Sequence, residues 1–234
     1  MPMVCDATPA RGPWRRIDTR DGVVVSTRAV PGQNLPEFRG VAVVEGTLFD
    51  LLGIVMDVKR HCEWRAKCHS ARLVRKINDF ERMIYTRIDA PWPVNDRDVV
   101  LRGKAMVHVK RRIVVSSFHA VRVASVPDVS GVVRMPRLQG SYRFEELDKA
   151  RVRVTYQVYS DPGGMLPAWL AARSARQLPY KTLTGLRKRV KQTRGTYDWM
   201  KKQYDPAFGG VIPTAYRLDP PTTPPTPATP PTGG

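Results

Sequence analysis

Polar and apolar residues alternate along the middle of the chain, and this alternation predicts β-strands. In residues 97–110, Val99, Leu101, Ala105 and Val107 are apolar, while Arg102, Lys104, His108 and Lys110 between them are polar. Period-two alternation is typical of a sheet with one buried and one solvated face. Similar patterns predict strands at 23–27, 38–45, 72–77, 82–89, 113–126, 140–147 and 151–159. The short turns between most of them favour a curved antiparallel sheet.

Two stretches show helical spacing instead. Thr47 caps a predicted helix that runs to about Val58, and a second, longer helix is predicted from Leu166 to about Tyr204. Pro179 lies inside the second helix and is expected to kink or split it. The apolar stripe of this helix consists of Trp169, Ala172, Leu183, Leu186, Val190 and Tyr197. One long helix on the hollow of a bent sheet predicts an α+β fold with an apolar internal space.

The chain is strongly basic, with 39 Lys and Arg against 21 Asp and Glu, a net charge of +18. Such a field attracts polyanions, of which nucleic acid and anionic membranes are the ordinary candidates, although charge also serves solubility alone. Much of it lies on the second helix, at Arg173, Arg176, Lys181, Arg187, Lys188, Arg189, Lys191, Arg194, Lys201 and Lys202. Few aromatic residues lie among these bases, so stacking on nucleotide bases is not indicated.

Composition predicts three parts: a flexible N-terminus over 1–13, a folded domain over 14–204 and a disordered tail over 205–234. The last fifteen residues hold seven prolines and five threonines and have almost no apolar surface to bury. No run of 18 apolar residues suggests a membrane-spanning helix, and the N-terminus lacks the apolar core of a secretory signal. Three cysteines form an odd, sparse set, which argues against a disulfide framework and for the reducing cytoplasm.

Candidate catalytic and metal-binding residues are few. His61-Cys62 and Cys68-His69 offer four potential zinc ligands, but their spacing does not match a structural zinc site. Asp96 and Asp98 flank Arg97 and are expected to pair with it. His119 is the candidate acid or base of an enzyme, if its strand turns it inward. No phosphate-binding loop, dinucleotide-binding glycine pattern or nucleophile elbow is present.

Several segments, in order, resemble the START (steroidogenic acute regulatory protein-related lipid transfer) domain. They are Pro91-Trp92-Pro93-Val94, Arg97-Asp98-Val99-Val100, Gly131-Val132-Val133-Arg134, Gly140-Ser141-Tyr142, Asp161-Pro162-Gly163-Gly164-Met165-Leu166-Pro167-Ala168-Trp169-Leu170 and Leu186-Arg187-Lys188-Arg189-Val190. The resemblance spans roughly residues 14–204. It implies a helix-grip fold, in which a U-shaped antiparallel sheet holds the long C-terminal helix over a hydrophobic tunnel. Members of this family carry one lipid between membranes without chemistry and without a cofactor.

The resemblance also implies roles for particular residues. The expected lipid-binding residues are Ile84, Ile88, Val99, Leu101, Ala105, Val107, Val154, Tyr156, Leu183, Leu186 and Val190. The expected lid and membrane-contact residues are Gly163, Gly164, Met165, Trp169, Arg173, Arg176 and Lys188. Cholesterol-carrying relatives place an acid–base pair in the tunnel, but the corresponding positions here are Gly103 and about Ile84. Arg102 is adjacent and lies on the polar face of its strand unless a bulge turns it inward.

The leading hypothesis is a monomeric, non-enzymatic lipid-transfer protein of the cytoplasm that docks transiently on anionic membranes through its basic helix. It needs no cofactor or metal and binds no specific nucleic acid. One alternative is a cyclase-like helix-grip enzyme acting on a hydrophobic substrate. The other is a basic nucleic-acid-binding protein.

Overall fold

The computed structural model describes residues 11–90, 92–166, 168–205 and 210–219. The strands are β1 (Arg15–Arg20), β2 (Val23–Arg28), β3 (Glu37–Glu45), β4 (Cys68–Lys76), β5 (Glu81–Ile88), β6 (Arg97–His108), β7 (Ile113–Val121), β8 (Val133–Arg134), β9 (Arg137–Asp148) and β10 (Arg151–Asp161). The α-helices are α1 (Leu48–Met56), α2 (Ala168–Gln192) and α3 (Asp198–Tyr204), and short 3₁₀ helices cover Val58–Glu63 and Thr214–Tyr216.

Nine of these strands form one antiparallel sheet in the order β1-β2-β3-β10-β9-β7-β6-β5-β4, and β8 pairs in parallel with β6. The central pairing of β3 with β10 joins the two ends of the domain sequence, since Val44 lies opposite Val152 and Phe38 opposite Val158. The predicted α+β helix-grip architecture, with a long C-terminal helix packed on an antiparallel sheet, is therefore confirmed.

Strand β6 follows its predicted alternation only at its far end, where Ala105 and Val107 are buried and their neighbours are more exposed. At its near end all five residues from Arg97 to Leu101 are buried. The reason is a second layer on the outer face, where Val100 packs with Tyr85 and with Val126 from the loop after β7. This loop covers a face that alternation alone assigns to solvent.

Helix α2 is the main element against the sheet, and it is continuous across Pro179. The predicted split lies instead at residues 193–197, where Gly195 adopts a φ of +82° before α3 begins. Gly185 lets α2 pass very close to the segment after α1, because a Cβ on Gly185 would lie 2.1 Å from the Trp64 carbonyl oxygen. The position of α2 and that of Trp64 are thus coupled.

The C-terminal boundary predicted at Tyr204 falls too early. Asp205 is buried and its carboxylate lies 2.6 Å from the Arg112 guanidinium. Further along, Ile212 is 1% exposed, Tyr216 stacks on Phe80 at 4.9 Å between ring centroids, and the Leu218 amide donates to the Val107 carbonyl. Apolar residues within this segment give it the packing surface that the Pro/Thr composition after it lacks. Residues 1–10 and 220–234 lie outside the described residues.

A disulfide links Cys62 and Cys68, with a Cα–Cα distance of 4.8 Å, which corrects the expectation drawn from the cysteine count. The 3₁₀ helix ends at Glu63 and Lys67 adopts a φ of +57°, so the chain reverses within six residues and brings the two sulfurs together. Three cysteines are enough for one disulfide between cysteines that are close in sequence, with one cysteine remaining.

Candidate functional site

A cavity, called the main cavity below, lies between the sheet and the first half of α2. It encloses about 990 Å³, a figure that includes space open to solvent. Its walls come from the segment 65–68, from the facing ends of the strand pairs β5–β6 and β9–β10, from the loop before α2, and from one face of α2 between Leu170 and Thr182. Ile88 pairs with Arg97 and Leu138 pairs with Ser160, so the cavity opens at one end of the sheet.

Side-chain size on α2 explains where this cavity lies. The first half of the helix presents Ala171, Ser174 and Ala175 to the cavity, and these small side chains leave space against the sheet. The second half presents Leu183 and Leu186, which are fully buried in the close-packed core. A close-packed core leaves few voids, so the main cavity lies beside the half of the helix that carries these small side chains.

A second cavity of about 520 Å³, a figure that again includes space open to solvent, lies between the end of α1 and strands β5 to β7. Its apolar walls include Trp64, Phe80, Leu101, Phe118 and Tyr142. Arg65 lines both cavities.

Exposed aromatic and apolar side chains surround the mouth of the main cavity. Trp92 is 93% exposed in the β5–β6 loop, Met165 is fully exposed in the loop before α2, and Trp169 is 66% exposed on the first turn of α2. Neighbours of all three in sequence, Val94, Leu166 and Leu170, line the cavity. We call Trp92, Met165 and Trp169 the rim. Gly163 and Gly164, with φ of +62° and +67°, give the loop before α2 a backbone that other residues rarely adopt.

Two guanidinium groups at the main cavity lack a carboxylate partner among the described residues. Arg97 does not pair with its neighbours as expected, because Asp96 pairs with Arg87 and Asp98 with Arg134. Its Nη2 instead donates to the Gly163 carbonyl at 3.4 Å, and burial lowers its pKa. Arg65 has no ion pair either, and its Nη1 lies 3.4 Å from Nδ1 of His61.

Several buried polar atoms at the cavities also lack a hydrogen-bond partner in the described structure. They are Thr86 Oγ1, Arg97 Nε and Trp64 Nε1. The Tyr142 hydroxyl has no partner other than the neighbouring Tyr156 hydroxyl, and burial raises the pKa of both tyrosines. Buried polar groups are rarely left unsatisfied, so these atoms are the polar positions that the cavity walls offer.

The predicted lipid-binding residues fall into two groups. Ile88 and Tyr156 line the main cavity, and Ile84, Leu101 and Ala105 line the second. The others are buried in the core and line neither of these cavities; they are Val99, Val107, Val154, Leu183, Leu186 and Val190. Contact of any of these residues with a lipid stays a prediction.

The predicted lid and membrane-contact residues lie mostly at the surface. Gly164, Met165, Trp169, Arg173, Arg176 and Lys188 are exposed, and Gly163 is half-buried. Some bases of the predicted basic helix face are engaged within the fold. Arg189 is buried and pairs with Glu63, and Arg187 donates to backbone carbonyls of Asp21, Gly22 and Val43.

The remaining sequence candidates do not form a site. His119 is exposed and lines neither cavity, so the acid or base of the enzyme hypothesis is missing from them. Arg102 is exposed and pairs with Glu81 at 2.6 Å, so it does not turn inward. Of the four potential zinc ligands, the cysteines are joined in the disulfide and His61 is buried apart from His69, which pairs with Asp89 at the surface.

Sequence reasoning missed Arg65, Thr86 and Trp92. The three-to-four spacing of Leu170, Ser174 and Leu178 was a readable signal for the cavity face of α2. Arg65 carried no such signal, because a lone arginine after a short helix is usually solvated.

Residues 14–196 match the START domain family over most of the chain. The chain belongs to this family. It is 30% identical over 182 residues to the uncharacterized protein PA1579 of Pseudomonas aeruginosa, covering 74% of this chain and 85% of that protein. It is 26% identical over 166 residues to the mouse phosphatidylcholine transfer protein, covering 70% of this chain and 77% of the relative.

A solved structure shows the same fold. The STAR-related lipid transfer protein of Xanthomonas axonopodis superposes with a TM-score of 0.70 at 30% identity, covering 76% of this chain and 99% of that one. The resemblance stated from the motifs is thereby confirmed. Within the described residues of this START domain, no helix combines the length and apolar character needed to cross a bilayer.

Proposed function

We propose that this START domain binds one lipid in the main cavity and transfers it between membranes, without catalysis and without a cofactor. The observation that carries the proposal is a cavity with mostly apolar walls that opens beside a rim of exposed aromatic and apolar side chains. Relatives named for lipid transfer support the same conclusion.

The energetics of transfer explain why the cavity is apolar. Moving an acyl chain of about 16 methylenes from a bilayer into water costs on the order of 13 kcal/mol, at about 0.8 kcal/mol per methylene. A carrier removes most of this cost by offering an apolar interior. Ile88, Val94, Met135, Leu138 and Leu178 supply such a surface in the main cavity.

The rim supplies the contact with the membrane. Tryptophan favours the interface between headgroups and acyl chains, and Trp92 and Trp169 leave most of their surface exposed. Exposed bases on α2, such as Arg173 and Arg176, add attraction to anionic lipid of about 1 kcal/mol each. We propose a monomer that works in the cytoplasm and docks only transiently, since a carrier must leave the membrane again.

The first experiment is native mass spectrometry of the purified full chain after incubation with vesicles of mixed lipids. We expect a protein–lipid complex of 1:1 stoichiometry, with the lipid identified after extraction. A protein that takes up no lipid from any vesicle would show the proposal to be wrong.

The second experiment separates transfer from storage. Donor vesicles carry a fluorescent phospholipid with a quencher, and acceptor vesicles carry neither, so transfer appears as rising fluorescence. We expect Trp169→Ala to slow transfer and Trp199→Ala, an exposed tryptophan of α3 outside both cavity walls, to leave it unchanged. A chain that binds lipid but moves none between vesicles would support storage or sensing instead.

A further inference from the structure

Arg65 lies on a short loop between the two cavities and is held there by its neighbours. The loop follows the 3₁₀ helix Val58–Glu63 and lies between the two cysteines of the disulfide, and α2 passes directly behind Trp64 at Gly185. Arg65 therefore belongs to a braced segment, although its side chain has no carboxylate partner in the described structure.

Within the described residues, the side-chain hydrogen-bond partner of the Arg65 guanidinium is His61, which is neutral. Nε2 of His61 donates to the Val55 carbonyl at 2.8 Å, so Nε2 carries the hydrogen and Nδ1 accepts from Arg65. Burial, helped by the positive charge of Arg65, lowers the pKa of His61 to about 3. The histidine orients the guanidinium at neutral pH without neutralising it.

Two buried groups next to Arg65 also have hydrogen atoms to donate. Trp64, 4% exposed, has no acceptor for its indole Nε1, and Tyr142, 3% exposed, has only the Tyr156 hydroxyl nearby. Both Trp64 and Tyr142 line the second cavity, which Arg65 also lines. A buried donor without an acceptor is destabilising, so a ligand that supplies negatively charged oxygens here is favoured.

The charges around both cavities are almost all positive. Besides Arg65, the walls carry Lys67, Arg82, Arg97 and Lys104. Among the described residues of these walls, Asp89 is the one carboxylate, and it pairs with His69 at the surface. Tyr142 and Tyr156 stack on each other at 4.6 Å, which occupies ring faces that could otherwise bind a cation. The walls therefore offer an anion several charged partners, whereas a quaternary ammonium group would find no carboxylate beyond Asp89 there, only aromatic rings such as Trp64 and Phe118.

We propose that the ligand is an amphiphile with an anionic headgroup, a phosphate monoester or a carboxylate with no balancing cation, and that Arg65 binds this headgroup inside the protein. The acyl chains then occupy the apolar parts of the cavities. This inference rests on the proposed lipid-binding function and names the class of lipid.

A competition between lipids in the same vesicle tests this proposal. All lipids are then offered from one membrane surface, so differences in membrane docking do not affect which lipid is taken up. Vesicles contain equal amounts of dioleoyl phosphatidic acid, dioleoyl phosphatidylcholine, dioleoylglycerol and oleic acid, and native mass spectrometry measures which lipid the protein takes up. We expect phosphatidic acid or oleic acid to exceed dioleoylglycerol and phosphatidylcholine at least about tenfold. The two anionic lipids distinguish phosphate from carboxylate as the headgroup.

Arg65→Gln is the decisive variant, and it should lower this preference about tenfold, the effect of losing a charge-assisted hydrogen bond. Arg65→Lys keeps the charge and should retain part of the preference. Arg111→Gln is the matched control, since it removes an exposed charge at the β6–β7 turn, the end of β6 away from the cavity mouth. Circular dichroism establishes that each variant is folded.

A measurement on the unaltered protein covers the case in which Arg65→Gln does not fold. Bound next to a guanidinium, the phosphate of dioleoyl phosphatidic acid should lose its second proton at a lower pH than in vesicles, which ³¹P NMR detects. Equal uptake of all four lipids, or a preference for phosphatidylcholine, would overturn the inference while leaving lipid binding intact. Uptake of none would overturn both.

Discussion

At the scale of single residues, His61 is a buried side chain of the core that also lines the second cavity. The ring is 3% exposed, accepts from Arg65 on one nitrogen and donates to the Val55 carbonyl with the other. A proton on Nδ1 would face the N–H groups of the Arg65 guanidinium, so the second nitrogen cannot be protonated without losing this hydrogen bond. The folded protein therefore requires a neutral imidazole.

This requirement predicts a loss of stability in mild acid. The pKa of His61 falls from 6.5 to about 3 on folding, so between these pH values the unfolded chain binds the extra proton. The free energy of unfolding should then decrease as the pH falls below 6.5. His61→Gln should reduce the loss between pH 7 and pH 5 by about 2 kcal/mol. Urea denaturation at both pH values measures this difference.

His119→Gln is the matched control because His119 is exposed. It should show the same pH dependence as the unaltered protein. Parallel curves for the protein and His61→Gln would mean that His61 is not kept neutral by the fold. Carboxylates titrate in all three proteins and cancel in the comparison.

At the scale of elements, the segment between α1 and β4 is the least regular part of the site and the most important one. It carries Trp64 and Arg65, and its path is set by the 3₁₀ helix, the positive φ of Lys67 and the disulfide. A crosslink around a loop this short is expected to stabilise the fold by about 2 kcal/mol.

Replacing both cysteines tests this contribution. Cys62→Ser/Cys68→Ser should lower the free energy of unfolding by about 2 kcal/mol relative to the oxidised protein. Dithiothreitol should lower that of the unaltered protein by a similar amount and leave the double variant unchanged. Equal stability of the reduced and oxidised protein would show that the disulfide contributes nothing to the fold.

The β5–β6 loop is a second element with a specific role at the cavity mouth. Its neighbouring residue Val94 lines the cavity while Trp92 projects into solvent. Trp92→Ala should weaken binding to neutral phosphatidylcholine vesicles several-fold, because it removes an interfacial aromatic group. Vesicle co-sedimentation measures binding, and Trp199→Ala serves as the control. Equal losses for both variants would argue against a role of the rim.

At the scale of the whole molecule, the net charge of +18 is distributed over structural and free bases. Arg112, Arg134 and Arg189 form ion pairs within the fold. Arg173 and Lys181 are exposed along α2. Burial, helped by the positive charge of Lys181, lowers the pKa of Lys67 in the cavity wall. Some of the exposed positive charge therefore lies on α2, near the mouth of the main cavity.

This distribution predicts that the affinity for anionic vesicles depends more on where the basic residues lie than on the net charge. Arg173→Gln/Lys181→Gln should reduce affinity for vesicles containing anionic phosphatidylglycerol by roughly fivefold per charge. Arg111→Gln/Lys149→Gln removes the same charge at the opposite end of the sheet and should have a smaller effect. Added salt should weaken binding of all proteins and reduce the difference between them. Equal effects of the two double variants would indicate attraction by net charge alone.

The sequence by itself determined the fold class, most of the strands and the family, whereas the pairing of β3 with β10 was not predicted. Alternation in β6 and helical spacing in α2 follow from local geometry, so they are readable along the chain, and so were the motifs around Trp92, Arg97 and Gly163. Nearly half of the predicted lipid-binding residues line a cavity, because period two assigns them correctly to the inner face.

Only the tertiary structure decided which inward residues border empty space. Leu183 and Ala175 both face inward on α2. Leu183 is packed in the core, whereas Ala175 borders the main cavity, because the space at each position depends on the side chains that lie opposite it. It also decided that Arg65 lacks a carboxylate and that His61 is neutral beside it. Such properties depend on residues distant in sequence, and no local pattern records them.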